Sequence, residues 1–209
     1  MILKRLFNRS QAPERRCYEA IVAAARHPAF YARWGVADTL DGRFDMIALH
    51  TYLVLDRLKG AEADFRQALV DEFFRDMDNS LRELGVGDLS VSKKVRKMAE
   101  VFYGRVAAYD AALAGEGDAL VSAIGRNVFP DDPKAGGASL LAAYMRGQRE
   151  HLAHHARGLR AGGPVEVARV LRGGEARTLR PRQRSRRGEE PGRVEGASVN
   201  PGAAAPGAG

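Results

Sequence analysis

The chain has 209 residues, of which 45% are hydrophobic and 28% charged, which is enough for one domain with a buried core. Lys and Arg total 33 against 26 Asp and Glu, and this excess favours anionic partners such as RNA, lipid headgroups or acidic proteins. Cys17 is the only cysteine, which excludes an intrachain disulfide and a thiolate metal cage and fits a reducing compartment.

Residues 1–12 are predicted to form a flexible basic arm. Their start, "MILKRLFNRS", suits either a frayed terminus or a weak contact with an anionic membrane surface. Its apolar stretches are shorter than the core of about 7–15 residues that a secretory signal needs. No segment of the chain approaches the roughly 20 apolar residues that cross a bilayer, so we expect a cytoplasmic protein.

Helical periodicity runs over residues 13–160 and predicts an all-α domain of about six packed helices. The segment 43–59 is apolar on most of its circumference, which predicts a buried central helix. His50 lies on its thin polar stripe between Arg43 and Arg57, and we interpret it as a hydrogen-bonded boundary residue. The other helices are predicted over residues 14–27, 62–84, 91–114, 117–129 and 138–160. His27, which precedes Pro28, is interpreted as a cap.

The stretch "DEFFRDMDNSLRELGVG" over residues 71–87 combines several acids with two adjacent aromatics. On a helix, its apolar residues form one stripe and its acids lie elsewhere. Asp71 can pair with Arg75, and Asp78 with Arg82, at a spacing of four. The stretch lacks both the pattern of a calcium loop and the Glu-x-x-His motifs of a di-metal bundle. We therefore predict a solvated helix face rather than a metal site.

Four cations crowd the beginning of the next predicted helix. We call Lys93, Lys94, Arg96 and Lys97 the basic cluster. Ser90 or Ser92 is predicted to cap this helix, which would place the cluster where cations oppose the helix dipole. We assign the cluster and Trp34 to a partner-binding surface, and a solvated basic face is the alternative.

The histidines of "EHLAHH" suggest a metal site, since His151 and His155 are spaced to share a helix face. The order His-Glu-x-x-His is missing, however, and no third ligand is evident. No nucleophile elbow or phosphate-binding loop occurs either. The residues themselves predict a basic all-α binding protein without catalytic residues, metal or cofactor. A basic helical RNA-binding protein or translational regulator is an alternative that they leave open.

Residues 161–209 are predicted to be a disordered tail rich in Arg, Gly and Pro, because few large apolar side chains are available to bury. Its "RPRQRSRRG" could contact RNA or lipid, whereas a solvated tail is the simpler interpretation.

Three phrases over residues 18–157 resemble the ubiquinol–cytochrome c chaperone family, whose mitochondrial members assist cytochrome b in complex III assembly. They are "FYARWGVADTLDGRFDMIALHTYLVLDRLKG", "DEFFRDMDNSLRELGVGDLSVSKKVRKMAEVFYGRVAAYDAAL" and "DALVSAIGRNVF". The resemblance implies an all-α, non-enzymatic chaperone for newly made cytochrome b. It also implies partners at the ribosomal exit site, a small partner protein, and a location beside the anionic cytoplasmic face of the inner membrane.

The family phrases also cover four polar residues that the resemblance assigns to the scaffold. They are His50, Asp110, Arg126 and Asn127. Our hypothesis is that Asp110 and Arg126 pair across neighbouring helices and that Asn127 caps a local backbone group.

Overall fold

The computed structural model describes residues 12–60 and 62–154, and the regular elements in these ranges are all α-helices. The all-α prediction is thereby confirmed. The helices are α1 Pro13–Ala25, α2 Pro28–Ala32, α3 Leu40–Arg57, α4 Ala63–Glu83, α5 Asp88–Ala114, α6 Ala119–Val128 and α7 Gly136–His154. The predicted arm before residue 12, the tail after residue 160 and the last turn of the predicted final helix lie outside the described residues.

Local signals explain where the first helices begin. Pro28, which the sequence predicted as a helix end, also begins the short helix α2, which the prediction missed. The His27 side chain accepts a hydrogen bond from the Ala29 amide at 3.2 Å, so its predicted capping role is confirmed. Thr39 caps α3 by accepting from the Gly42 amide at 3.2 Å.

Helix α3 is the central helix that the sequence predicted. Apart from the exposed Arg43, it is buried from Gly42 to Leu55, and it packs against α1, α5, α6 and α7. His50 is fully buried, so its predicted boundary position is wrong. Its Nδ1 lies 2.7 Å from the Met46 carbonyl oxygen and its Nε2 lies 2.8 Å from the Tyr144 hydroxyl, so it is hydrogen-bonded in the core as expected.

The acids of α4 lie in three different environments. Asp78 pairs with Arg82 at 2.6 Å, as predicted, but Asp71 accepts from Gln67 and does not pair with Arg75. Arg75 pairs instead with Glu72, whose side chain is only 4% exposed. The expectation that these acids all lie on a solvated face is therefore wrong for Glu72. A buried carboxylate requires partners, and Glu72 also receives Arg15 of α1 at 2.6 Å.

A tight turn joins α4 to α5. Gly85 has a φ of 78° and donates to the Arg82 carbonyl at 2.9 Å, while Val86 donates to the Leu81 carbonyl at 3.1 Å. This pair of bonds is the Schellman arrangement, which uses glycine because left-handed backbone is strained for other residues.

Helix α5 begins earlier than predicted. Its N-cap is Gly87, so neither predicted serine cap is formed. Asp88 occupies the first turn, where an acid suits the helix dipole, and the basic cluster begins beyond that turn. The predicted conflict between the cluster and the dipole is therefore weak. None of the described helices is long and apolar enough to cross a membrane.

Candidate functional site

Two adjoining depressions lie at the C-terminal end of α3. The first, which we call the aromatic cleft, lies between α3, α4 and α5 and has a volume of about 300 Å³. Its apolar walls include Leu55, Val70, Phe102, Tyr103 and Val106. The second, which we call the α7 groove, runs from α3 to α7 and has a volume of about 920 Å³. The apolar residues that line it are Leu53, Leu113, Leu152 and Ala153.

A chain of charged and polar contacts separates the two depressions. Lys59 Nζ lies 2.5 Å from Asp110 Oδ1 and 3.3 Å from Asp56 Oδ1. Arg149 Nε lies 2.8 Å from Asp56 Oδ2, and the Tyr52 hydroxyl donates to Asp110 Oδ1 at 2.8 Å. We call these five residues the ionic bridge. It joins α3, α5 and α7, and two of its members, Asp56 and Lys59, line both depressions.

Contacts within the ionic bridge favour the ionised Asp110 carboxylate, the protonated Lys59 amine and the protonated Tyr52 hydroxyl. Burial opposes ionisation of Asp110, but hydrogen bonds from Lys59 and Tyr52 outweigh it and lower the pKa of that carboxyl. The hydrogen bond to Asp110 raises the pKa of Lys59 above its usual value. Burial, together with Asp110, raises the pKa of Tyr52. The bridge is therefore a set of paired charges beside apolar walls, an arrangement that suits recognition of a segment containing both apolar and charged residues.

The rim of the α7 groove is more basic than that of the aromatic cleft. Arg57 Nε donates to the Leu152 carbonyl at 3.1 Å, and Arg146 Nη2 donates to the Gly117 carbonyl at 3.2 Å. Carbonyl oxygens orient these guanidinium groups without cancelling their charge. The α7 groove is therefore suited to a bound segment with an acidic side chain.

The family-motif residues have other partners than the hypothesis gave them. Asp110 belongs to the ionic bridge, and Arg126 is exposed on α6, so the predicted Asp110–Arg126 pair is wrong. Asn127 donates from Nδ2 to the Ala123 carbonyl at 2.9 Å, which confirms its bond to a local backbone group. The Asn127 carbonyl also accepts from Arg105 at 3.3 Å, which ties α6 to α5.

The predicted partner-binding residues occupy two separate elements. The side chains of the basic cluster are all exposed along the N-terminal part of α5. Trp34, between α2 and α3, is half-buried and packs edge-to-face on Phe30 and Tyr144, with centroids 5.2 and 5.9 Å away. Their role in binding remains a prediction, and Trp34 also has a structural role in covering the core.

Sequence reasoning missed a buried ion pair beside the central helix. Arg105 Nη2 lies 2.5 Å from Asp45 Oδ1, with side chains 13% and 7% exposed. The guanidinium also lies 5.2 Å from the Phe44 ring centroid. Burial raises the pKa of Asp45 to about 7, and Arg105 acts in the opposite direction. The only available signal was one acid within an otherwise apolar segment, and the identity of its partner depended on packing.

Residues 12–60 and 62–154 contain no group of three His, Cys, Asp or Glu side chains that could hold a metal ion. His155, the second member of the proposed i,i+4 pair, lies outside those residues. The ionic bridge contains two carboxylates, but each is paired with a cation.

Comparison with known proteins identifies the family. Residues 32–166 match the family described as ubiquinol-cytochrome C chaperone. The chain belongs to this family. The match confirms the resemblance that the sequence phrases indicated, and it covers both depressions and the basic cluster.

A solved structure supports the family assignment. The crystal structure of the Cbp3 homolog from Brucella abortus is 44% identical and aligns with a TM-score of 0.65, covering 78% of this chain and 94% of that one. Because identity is high and the homologous chain is nearly fully covered, the shared fold reflects common ancestry and not only similar architecture.

Curated relatives are named ubiquinol-cytochrome c reductase complex assembly factor 1. The Xenopus laevis protein is 26% identical over 143 residues, which are 66% of this chain and 70% of that protein. The Mus musculus and Homo sapiens proteins are also 26% identical over 143 residues, 66% of this chain. The alignments cover 48% and 47% of those proteins, so this chain spans about half their length.

Proposed function

We propose that this chain is a non-enzymatic assembly chaperone that binds newly made cytochrome b and promotes assembly of the cytochrome bc1 complex (complex III). The observation that carries the proposal is the family match over residues 32–166, supported by the 44% identical Cbp3 homolog. Relatives named as assembly factors of the ubiquinol–cytochrome c reductase complex support the same process. Cytochrome b as the client is our own, finer proposal.

The two depressions are our candidate for the client-binding surface. A newly made membrane protein exposes apolar segments whose flanks carry charged residues, and both kinds of group need temporary partners. The aromatic cleft offers Tyr103 and Val106 to an apolar side chain, with the buried Phe102 ring behind them, and the ionic bridge lies beside them. Helix-in-groove recognition uses this combination of apolar anchors and a polar rim.

The proposed location is the cytoplasmic face of the inner membrane, where a client with membrane-spanning segments would emerge. The ribosome near its exit site and a small partner protein are further proposed partners. The exposed basic cluster supports a contact with an anionic surface, whether RNA or lipid.

Deletion of the gene tests the process. We expect the deletion strain to lose assembled complex III, and expression of the full-length chain to restore it. Normal complex III levels in the deletion strain would contradict the proposal.

Photo-crosslinking in living cells tests the client and the surface together. A benzophenone side chain at Tyr103, which is 53% exposed in the aromatic cleft, should crosslink to cytochrome b. The same group at Lys94 and Lys97 tests the basic cluster, and Lys134, an exposed position that lines neither depression, is the matched control.

Cytochrome b peptides captured from Tyr103 but not from Lys134 would support client binding in the cleft. Equal capture from both positions would contradict a defined cleft. RNA captured at Lys94 and Lys97, with no cytochrome b from any position, would instead support the RNA-binding alternative.

A further inference from the structure

The turn between α4 and α5 presents apolar side chains to solvent. Leu84 is 64% exposed and Leu89 is 96% exposed, and Val86 between them is half-buried. A single exposed leucine is ordinary on a protein surface. Two that flank one tight turn beside the basic cluster form a surface that combines apolar and cationic groups.

The backbone of this turn holds the leucines outward. The Schellman bonds of Gly85 and Val86 close the end of α4, and α5 begins at once with Asp88. Arg82 reaches across the turn and pairs with both Asp78 and Asp88. The two exposed leucines therefore flank a turn that is held by backbone hydrogen bonds and by the Arg82–Asp88 ion pair.

The same contacts leave the surface positively charged. From residue 82 to residue 97 there are five cations, Arg82 and the basic cluster, against two acids, Glu83 and Asp88, a net charge of +3. Arg82 pairs with Asp88, so this acid does not neutralise the basic cluster. Within the described parts of the chain, Lys97 pairs with Glu100 at 3.3 Å, whereas the other three cluster cations have no acid within ion-pair distance.

Helix geometry places Leu89 and two cations of the basic cluster on one face, with Lys97 on its flank and Lys94 farther round the helix. Leu89, Lys93 and Arg96 follow one another at spacings of four and three, which puts them on the same side of α5. Val91 and Phe102, which are fully buried, lie on the opposite side against the core. The combined surface therefore points away from the protein body.

We propose that this surface, formed by Leu84, Val86, Leu89 and the basic cluster, docks on an anionic lipid bilayer. The leucines would enter the interfacial layer, and the long Lys and Arg side chains would reach the lipid phosphates. Phosphate contacts with RNA would use the cations but would gain little from two exposed leucines, so the combination favours lipid. The inference rests on the membrane location proposed above and names the surface that makes the contact.

Vesicle co-sedimentation of the full-length chain tests this proposal without any client. The probes are vesicles of phosphatidylcholine with phosphatidylglycerol and vesicles of phosphatidylcholine alone. One variant combines Leu84→Ser with Leu89→Ser, and its control combines Leu40→Ser with Leu140→Ser at leucines that are 50% and 45% exposed. A second variant carries Lys93→Gln, Lys94→Gln and Arg96→Gln.

The charge control carries Arg16→Gln, Arg126→Gln and Lys134→Gln, which remove three exposed cations elsewhere. The tail is present in every variant, so its contribution is common to all. We expect the cluster variant to bind anionic vesicles about tenfold more weakly or worse, and the leucine variant about threefold more weakly. Both controls should stay within about twofold of the original chain. Added salt should weaken binding because it screens the cations.

Equal losses in the cluster variant and its charge control would overturn the proposal, because net charge alone would then explain binding. Unchanged binding of the leucine variant would overturn the insertion of the apolar groups. RNA retention by the same variants is measured in parallel. If the cluster variant loses RNA retention but keeps its vesicle binding, the surface is reassigned to RNA. Since the vesicles contain no cytochrome b, each of these failures leaves the client proposal to its own crosslinking test.

Discussion

Two neighbouring tyrosines should respond oppositely to the same substitution. Tyr52 and Tyr109 pack with ring centroids 5.5 Å apart at 63°, on α3 and α5. The Tyr52 hydroxyl donates to Asp110 at 2.8 Å, whereas the Tyr109 hydroxyl is buried with no hydrogen-bond partner among the described residues. Phenylalanine keeps the ring and removes only the oxygen, so the comparison isolates the hydroxyl.

The expected magnitudes follow from the environments of the two hydroxyls. A hydrogen bond to a charged group contributes about 1.5–3 kcal/mol, and because the Asp110 side chain is 37% exposed, water replaces part of the loss. We expect Tyr52→Phe to lower the free energy of unfolding by about 1 kcal/mol. An unpaired buried hydroxyl costs about 1–3 kcal/mol, so Tyr109→Phe should raise the free energy of unfolding by about 1 kcal/mol.

Urea and thermal unfolding, followed by far-UV circular dichroism, measure this difference. A separation of about 2 kcal/mol between the variants corresponds to roughly 4–8 °C in melting temperature. Tyr103→Phe, at a ring that is 53% exposed, is the control and should change the free energy by less than about 0.5 kcal/mol. If Tyr109→Phe destabilises the protein as much as Tyr52→Phe, the Tyr109 hydroxyl has a partner and the reasoning is refuted.

The remaining predictions concern pH and close packing. Because the folded pKa of Asp110 is lowered, its ionised form stabilises the protein above the unfolded value of about 3.9, and this contribution is lost as pH falls through the folded pKa. The urea midpoints of the original chain and Asp110→Asn should therefore differ at pH 7 and converge toward pH 3, and a pH-independent gap would contradict this. At Gly125 a Cβ would overlap the Pro133 carbonyl oxygen, so Gly125→Ala should cost about 1–3 kcal/mol, whereas Gly104→Ala, in open space on α5, should be neutral or slightly stabilising.

Local patterns account for the part of the fold that was predictable. Apolar residues at helical spacing predicted the long helices and the buried α3, because a helix that is apolar nearly all round can only lie inside. The Asp78–Arg82 pair was also predictable, since both residues lie on one helix and their separation is set by helix geometry. The family phrases added the process, which no residue pattern could supply.

Long-range partners account for the part that was not predictable. The contacts of Asp110 with Tyr52 and Lys59, and of Arg149 with Asp56, join residues 51 to 93 positions apart. Helical periodicity states which face of a helix turns inward, but it does not state which residue of another helix lies opposite. For that reason the Asp110–Arg126 pair was wrong, and the role of Asp45 was missed.

The amino-acid sequence by itself determined the long helices, their apolar faces and the positive charge, because these depend on residues close together in the chain. Only the tertiary structure decided which charges are paired and which stay free. Arg82 neutralises Asp88 across a turn, and Lys97 pairs with Glu100, while Lys93, Lys94 and Arg96 have no acid within ion-pair distance among residues 12–60 and 62–154. Pairing depends on distances between elements, and those distances exist only once the helices have packed.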